Sequence, residues 1–223
     1  MTQFVLDLGH RPALGEADFL VAPCNQQAIQ WLDRWPRWPA PALTVHGPAG
    51  CGKTHLARVF AARSGAPVIA AASLATATVP AQLGTAEAAV VDDAEQAAAE
   101  ALLHLHNLLA ERRGHLLLTA QTPPARWPGL LPDLRSRLVA APAVAVEAPD
   151  EPLLAALLVK LFADRQVTVG EEVVLFLARQ IERSFAAARQ AVAELDAAAL
   201  REKRGITIPL ARAVLGLKGS ETG

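Results

Sequence analysis

The residues Gly47-Pro48-Ala49-Gly50-Cys51-Gly52-Lys53-Thr54 have the G-x-x-x-x-G-K-[ST] spacing of a phosphate-binding loop. Glycines let such a loop curl until backbone N–H groups and the following helix N-terminus converge on phosphate oxygens. Lys53 supplies a point charge for the β and γ oxygens, and Thr54 a hydroxyl for Mg²⁺. Cys51 reads as a small residue of which only the backbone is needed, in preference to a redox thiol. Downstream, the apolar run 88–91 ends in Asp92 and Asp93. Acids at a strand end beside a phosphate loop suit a metal shell, here Asp92, and the orientation of a water, here Asp93. A helix N-cap is the plainer reading of the same pair. The run 115–120 ends in Thr119 and is followed by Gln121, placed to sense a γ-phosphate, or simply to cap a strand end. Beyond a proline-rich loop, Arg135 and Arg137 sit in a short helical stretch, where an arginine pair by itself is usually a solvated face.

Positioning these groups requires strands that end where the polar residues begin. Apolar runs at 42–46, 68–71, 88–91, 115–120 and 143–146 alternate with helical stretches, clearest at 53–63 and 95–113. Apolar strands bounded by helices predict a parallel sheet covered on both faces. Asn25 is the expected cap of a helix running to Trp35 and stopped by Pro36. After Pro149 the strand pattern ends, and helices are expected at about 151–165, 171–181, 184–203 and 209–217, with Asp150 and Thr207 as helix-start residues. The expected fold class is therefore α/β, a sheet flanked by helices and followed by a small all-α domain. The expected organisation is an arm over 1–18, a nucleotide-binding domain over 19–148 and a helical lid over 149–223.

Composition narrows the function. The chain has 223 residues, 52% apolar and 19% charged, which excludes a disordered protein. A formal charge of −1 gives no basic footprint for tracking nucleic acid, so any work near DNA is expected to go through a partner. Cys24 and Cys51 form no disulfide framework, and the first residues lack the basic start of a secretion signal. The uncharged stretch 65–86 is broken by Pro67, Pro80 and Gly84, which disfavours a membrane span. The expected location is cytoplasmic. His46, His55, His104, His106 and His115 make no metal-ligand pattern. Trp31, Trp35, Trp38 and Trp127 read as packing or interface anchors.

The order of phosphate loop, acidic strand end, Thr-x-Gln strand, Leu-Arg-Ser-Arg-Leu and helical lid resembles an AAA+ ATPase module of the DnaA branch, and within it the DnaA-related Hda family. The segment from Phe19 to Asn25 is similar to that family's box around the adenine, 119–124 to its sensor segment and 131–138 to its arginine-finger box. Leu195-Asp196 and 207–209 are similar to its C-terminal helices. The resemblance implies adenine nucleotide, ADP or ATP with Mg²⁺, held by Phe19, Asn25, Gly47, Pro48, Gly50, Cys51, Gly52, Lys53, Thr54, His55 and Gln121. Thr54 and Asp92 would face the metal, with Asp93 and Arg137 as the catalytic residues. It also gives a meaning to Gln3, Phe4, Leu6 and Leu8, which are similar to the peptide by which these proteins dock on the replication sliding clamp. An extended arm can present such plugs without a folded context, although the same stretch can equally be a strand of the main domain.

Two positions depart from the family pattern: Ala186 stands where the lid helix carries a nucleotide-sensing Arg, and Gln121 stands for the inner sensor Asn. Both imply weak hydrolysis by the chain itself. The C-terminal DNA-reading helix-turn-helix of the initiator is not recognisable after Leu217. The expectation is a negative regulator of replication initiation that presents Arg137 to ATP on DnaA, with the sliding clamp, DnaA and other copies of itself as partners, DNA reached only through them, and no membrane. A helicase-loading or remodelling ATPase is the alternative, and a small-molecule P-loop kinase a more distant one.

Overall fold

Five short strands, β1 (Ala42–His46), β2 (Val68–Ala70), β3 (Ala88–Asp92), β4 (His115–Ala120) and β5 (Ala143–Ala145), form one wholly parallel sheet in the order β2-β3-β4-β1-β5. The computed structural model describes residues 21–216. It divides after Glu147 into two units.

In the first unit the pleat sends neighbouring side chains to opposite faces. Leu116 and Leu118 of β4 join Leu102, Leu105 and Leu109 of α4 (Ala99–Glu111) and Leu134 and Leu138 of α5 (Pro132–Ala140). Leu117, between them in sequence, packs on the other face with Leu43, Val45 and Val90, against α1 (Pro23–Asp33) and α2 (Lys53–Ser64). Both faces are thus dry, which is why the strands read as continuous apolar runs. A short helix, α3 (Val79–Leu83), follows β2. On the α2 side Trp38 stacks on Phe60 at 5.4 Å and Trp35 meets the same ring edge-on at 5.6 Å. Trp127 is buried and its indole N–H donates to the Thr122 carbonyl at 2.7 Å. These three tryptophans are core anchors.

The second unit is a helical cluster of α6 (Glu151–Asp164), α7 (Glu171–Gln180), α8 (Phe185–Glu202) and α9 (Ile208–Leu215). Leu154, Leu158 and Phe162 of α6 are buried with Leu177 of α7 and Ala188, Val192 and Leu195 of α8. Asp150, Ser184 and Thr207 cap α6, α8 and α9, each accepting the backbone N–H three residues on. Among the described residues no helix is long and apolar enough to cross a membrane.

Two sequence expectations are corrected. Asn25 is not the cap of α1: Pro23 enters the first turn, Ala22 is the cap, and Asn25 reaches back to accept the Ala22 N–H at 2.9 Å. The helix ends at Asp33, short of Trp35. The stretch 95–113 is not one helix either. Asp93 adopts φ +56°, a 3₁₀ turn covers Ala94–Gln96, and α4 starts only at Ala99. The turn is held because Glu95 is bonded across to the end of β4, a contact no helical periodicity reveals.

Candidate functional site

β1, β3 and β4 are adjacent in the sheet and end at one edge, so the three polar segments that follow them converge there. At the end of β1 the chain turns away at Gly47, whose N–H donates to the Ala120 carbonyl at 3.1 Å. A Cβ at Gly47 would lie 2.0 Å from the Val146 carbonyl oxygen, so only glycine fits. Gly52, at φ +102°, makes the last turn into α2. Lys53 is 7% exposed, and its ammonium donates to the carbonyls of Gly47 and Pro48 at 2.8 Å each. The loop therefore folds around its own lysine, leaving the α2 N-terminus uncovered by any side-chain cap. Cys51 is buried, and burial pushes its thiol above the ordinary value, which keeps it unreactive. His55 lies half-buried in the first turn of α2.

The hydroxyl of Thr54 lies 3.2 and 3.1 Å from the two carboxylate oxygens of Asp92. Thr119 is fully buried, and its hydroxyl donates to Asp92 while accepting the Asp93 N–H at 3.0 Å. The proton and one lone pair of that hydroxyl are engaged by the acidic strand end, so Thr119 holds that end in place. Gln121, two residues on, is exposed. Asp93 is also exposed, and its side chain caps nothing, which removes the N-cap reading of the acid pair.

No cluster of three or more His, Cys, Asp or Glu side chains that could cage a metal occurs among the described residues. One hydroxyl and one carboxylate, side by side, suit Mg²⁺ instead, which takes few protein ligands and completes its octahedron with water and phosphate oxygens. The donors present therefore fit a magnesium nucleotide.

Two residues of this edge were given no role from the sequence. His46 ends β1, directly before the loop. Its pKa is lowered by burial first and then by the charges of Arg126 and Lys53, so it stays neutral and adds no cation to the loop. Glu95 accepts the Gln121 N–H at 2.7 Å. A sequence signal for it existed, since it follows the acid pair by two residues.

Arg135 and Arg137 have separate uses. Arg135 donates to the carbonyls of Ala125 at 3.1 Å and Trp127 at 2.6 Å, tying α5 to the preceding turn. Arg137 is exposed, and its guanidinium meets Asp133 one turn earlier through Nε at 3.0 Å and Nη2 at 2.9 Å. This pairing holds the Asp133 carboxyl below its usual range. A solvent-exposed pair of this kind exchanges readily for another anion.

Asn25 is buried at the start of α1. Phe19 and the residues Gln3, Phe4, Leu6 and Leu8 lie outside the described residues. In the helical unit Ala186 is exposed in the first turn of α8, and the nearby Arg183 and Arg189 are exposed as well.

Comparison with known proteins bears on the fold. Residues 150–215 match the family described as Hda, lid domain. Domain III of the Thermotoga maritima replication initiation protein DnaA superposes with a TM-score of 0.77 at 18% identity, covering 89% of this chain and 94% of that one. A replication initiator DnaA bound to AMPPCP and single-stranded DNA gives 0.68 at 17% identity, covering 86% and 69%. A Thermotoga maritima RuvB A156S mutant gives 0.71 at 15% identity, covering 91% and 69%. The chain thus has the AAA+ fold, and its helical unit matches the Hda lid family over residues 150–215.

Proposed function

We propose that this chain is a negative regulator of chromosomal replication initiation, which holds an adenine nucleotide, docks on the DNA-loaded sliding clamp and stimulates ATP hydrolysis by DnaA. The observation that carries the reading is the presence in one chain of an Hda-type lid and an AAA+ module in which Arg137 is exposed and paired, among the described residues, with the surface carboxylate of Asp133.

The nucleotide part rests on the loop. Gly47 to Thr54 presents backbone N–H groups and an uncapped helix N-terminus, Lys53 is stored within reach, and Thr54 with Asp92 offers oxygen ligands for Mg²⁺. The AMPPCP found in the DnaA relative supports adenine as the base. Bound Mg²⁺-nucleotide would supply charge neutralisation and order at this edge of the sheet. Asp93 is free to orient a water, and Gln121 to meet a terminal phosphate. Ala186 at the start of α8 brings no guanidinium, so the chain's own turnover is slow and the nucleotide acts chiefly as a structural cofactor.

The action on DnaA rests on Arg137. A guanidinium delivered to a neighbour's phosphate neutralises charge that develops on the transferred group, and its planar fork of donors matches phosphate oxygens. Gln3, Phe4, Leu6 and Leu8 would bring the protein to the clamp, and DNA would be met through these partners.

An assay of ATP-loaded DnaA with clamp on DNA, with and without this protein, tests the proposal. Stimulated hydrolysis that depends on both clamp and protein is the expected result. Vigorous hydrolysis by the protein alone, with none stimulated on DnaA, would favour the remodelling-ATPase reading.

A further inference from the structure

The ends of β3 and β4 are joined by more than the ladder. Beyond the last paired residues, Val91 and Leu118, the Asp92 carboxylate accepts the Thr119 hydroxyl and the Asp93 N–H donates back to it. One step further out, Glu95 Oε1 accepts the backbone N–H of Gln121 at 2.7 Å. On its other side this segment is fixed to the phosphate loop, because the Ala120 carbonyl accepts the Gly47 N–H at 3.1 Å. Gln121 is therefore suspended between the loop that would hold phosphate and the turn that follows the acids.

The Glu95 contact has an unusual form. Its Oε1 makes a charge-assisted bond, shorter and stronger than one between neutral groups, and its Oε2 is buried with no hydrogen-bond partner among the described residues. A carboxylate oxygen removed from water without a partner is costly, whereas a surface glutamate is free to swing outward and be solvated. The side chain is kept inward, and what it gains there is the Gln121 N–H. The turn that carries Glu95 begins at Asp93, whose φ of +56° is a left-handed conformation that Asp tolerates better than most residues. A local cost at Glu95 thus accompanies the fixing of one backbone amide next to the phosphate loop.

We propose that Glu95 is a positioning residue: its carboxylate fixes the backbone of Gln121 so that the Gln121 carboxamide meets the terminal phosphate of a bound nucleoside triphosphate. The inference rests on the nucleotide-holding reading above and adds to it the residue that makes the site distinguish triphosphate from diphosphate. Glu95 itself touches no phosphate. Its role is geometric, so a neutral acceptor of the same length suffices and a shorter acid does not.

The test measures dissociation constants of AMPPCP-Mg and ADP-Mg by calorimetry for the wild type and for Gln121→Ala, Glu95→Ala, Glu95→Gln and Glu95→Asp in the full chain. Gln121→Ala is expected to weaken AMPPCP relative to ADP by roughly tenfold, the worth of one hydrogen bond to a charged group. Glu95→Ala and Glu95→Asp are expected to shift the ratio in the same direction by about fivefold or more, with no further shift when Glu95→Ala is added to Gln121→Ala. Glu95→Gln is expected to keep the wild-type ratio. If Glu95 acted through its charge, Glu95→Gln would behave like Glu95→Ala, and the proposal would be overturned. An unchanged ratio in Glu95→Ala beside a shifted one in Gln121→Ala overturns it too, leaving the nucleotide site intact. A wild type that binds neither nucleotide removes the underlying reading instead.

Discussion

The Thr54 hydroxyl stands 3.1 Å from Asp92 Oδ2, although 38 positions separate the two residues in the chain. The contact exists because β1 and β3 flank β4 and all three run parallel, so the first turn of α2 and the end of β3 share one sheet edge. It joins the phosphate loop to the acidic strand end, and it makes the loop, more than any single side chain, the unit that would grip a nucleotide.

Lys53 is the one charge stored inside that loop. Lys53→Ala removes it, and nucleotide binding is expected to be lost. A ligand at a hundred times its dissociation constant adds about 2.7 kcal/mol to stability, so saturating ADP-Mg should raise the wild-type melting temperature by several degrees and leave the variant unmoved. Equal shifts in both proteins would contradict the assignment of the phosphate site.

Acid should loosen the fold in a definite window. His46, His106 and His115 all have pKa values lowered chiefly by burial, with Arg137 adding to the effect at His106. Their unfolded value is about 6.5, so below that pH the unfolded chain binds protons the native protein refuses, and stability falls as pH falls. Above about pH 8 the three are neutral in both states and contribute no slope. Urea midpoints measured from pH 7.5 to 5 should decline, and His106→Leu should flatten the decline, since that ring is 4% exposed and its Nδ1 has no partner among the described residues. A slope unchanged by the substitution would contradict the role of His106.

The sheet, its flanking helices and the change to an all-α pattern after Pro149 are legible in the sequence for one physical reason. Strands dry on both faces must be apolar throughout, as 116–118 are, and amphipathic helices must repeat on another period. The phosphate loop is legible because its geometry demands particular residues: Gly47 leaves no room for a Cβ. What stayed hidden depends on contacts between distant segments. Nothing local shows that Thr119 is bonded to Asp92 and Asp93, or that Glu95 turns away from a helix to reach Gln121. Nor does the pattern 134–138 reveal that Arg135 is spent on backbone carbonyls while Arg137 is left at the surface.

The arm makes a separate prediction. If residues 3–8 serve only to dock on the clamp, Gln3→Ala with Leu6→Ala should abolish retention by immobilised sliding clamp, with melting temperature and nucleotide affinity unchanged. A large loss of thermal stability in this variant would return the segment to the main domain.

The central claim is that Arg137 acts on a neighbour's phosphate. Single-turnover hydrolysis of ATP-loaded DnaA, with clamp on DNA and stoichiometric protein, tests it most directly. Fingers of this kind are worth about 10³ to 10⁵ in rate, so Arg137→Ala should lose nearly all stimulation while keeping clamp retention and nucleotide binding, and Arg137→Lys should recover little of it. Full stimulation by Arg137→Ala would contradict the account.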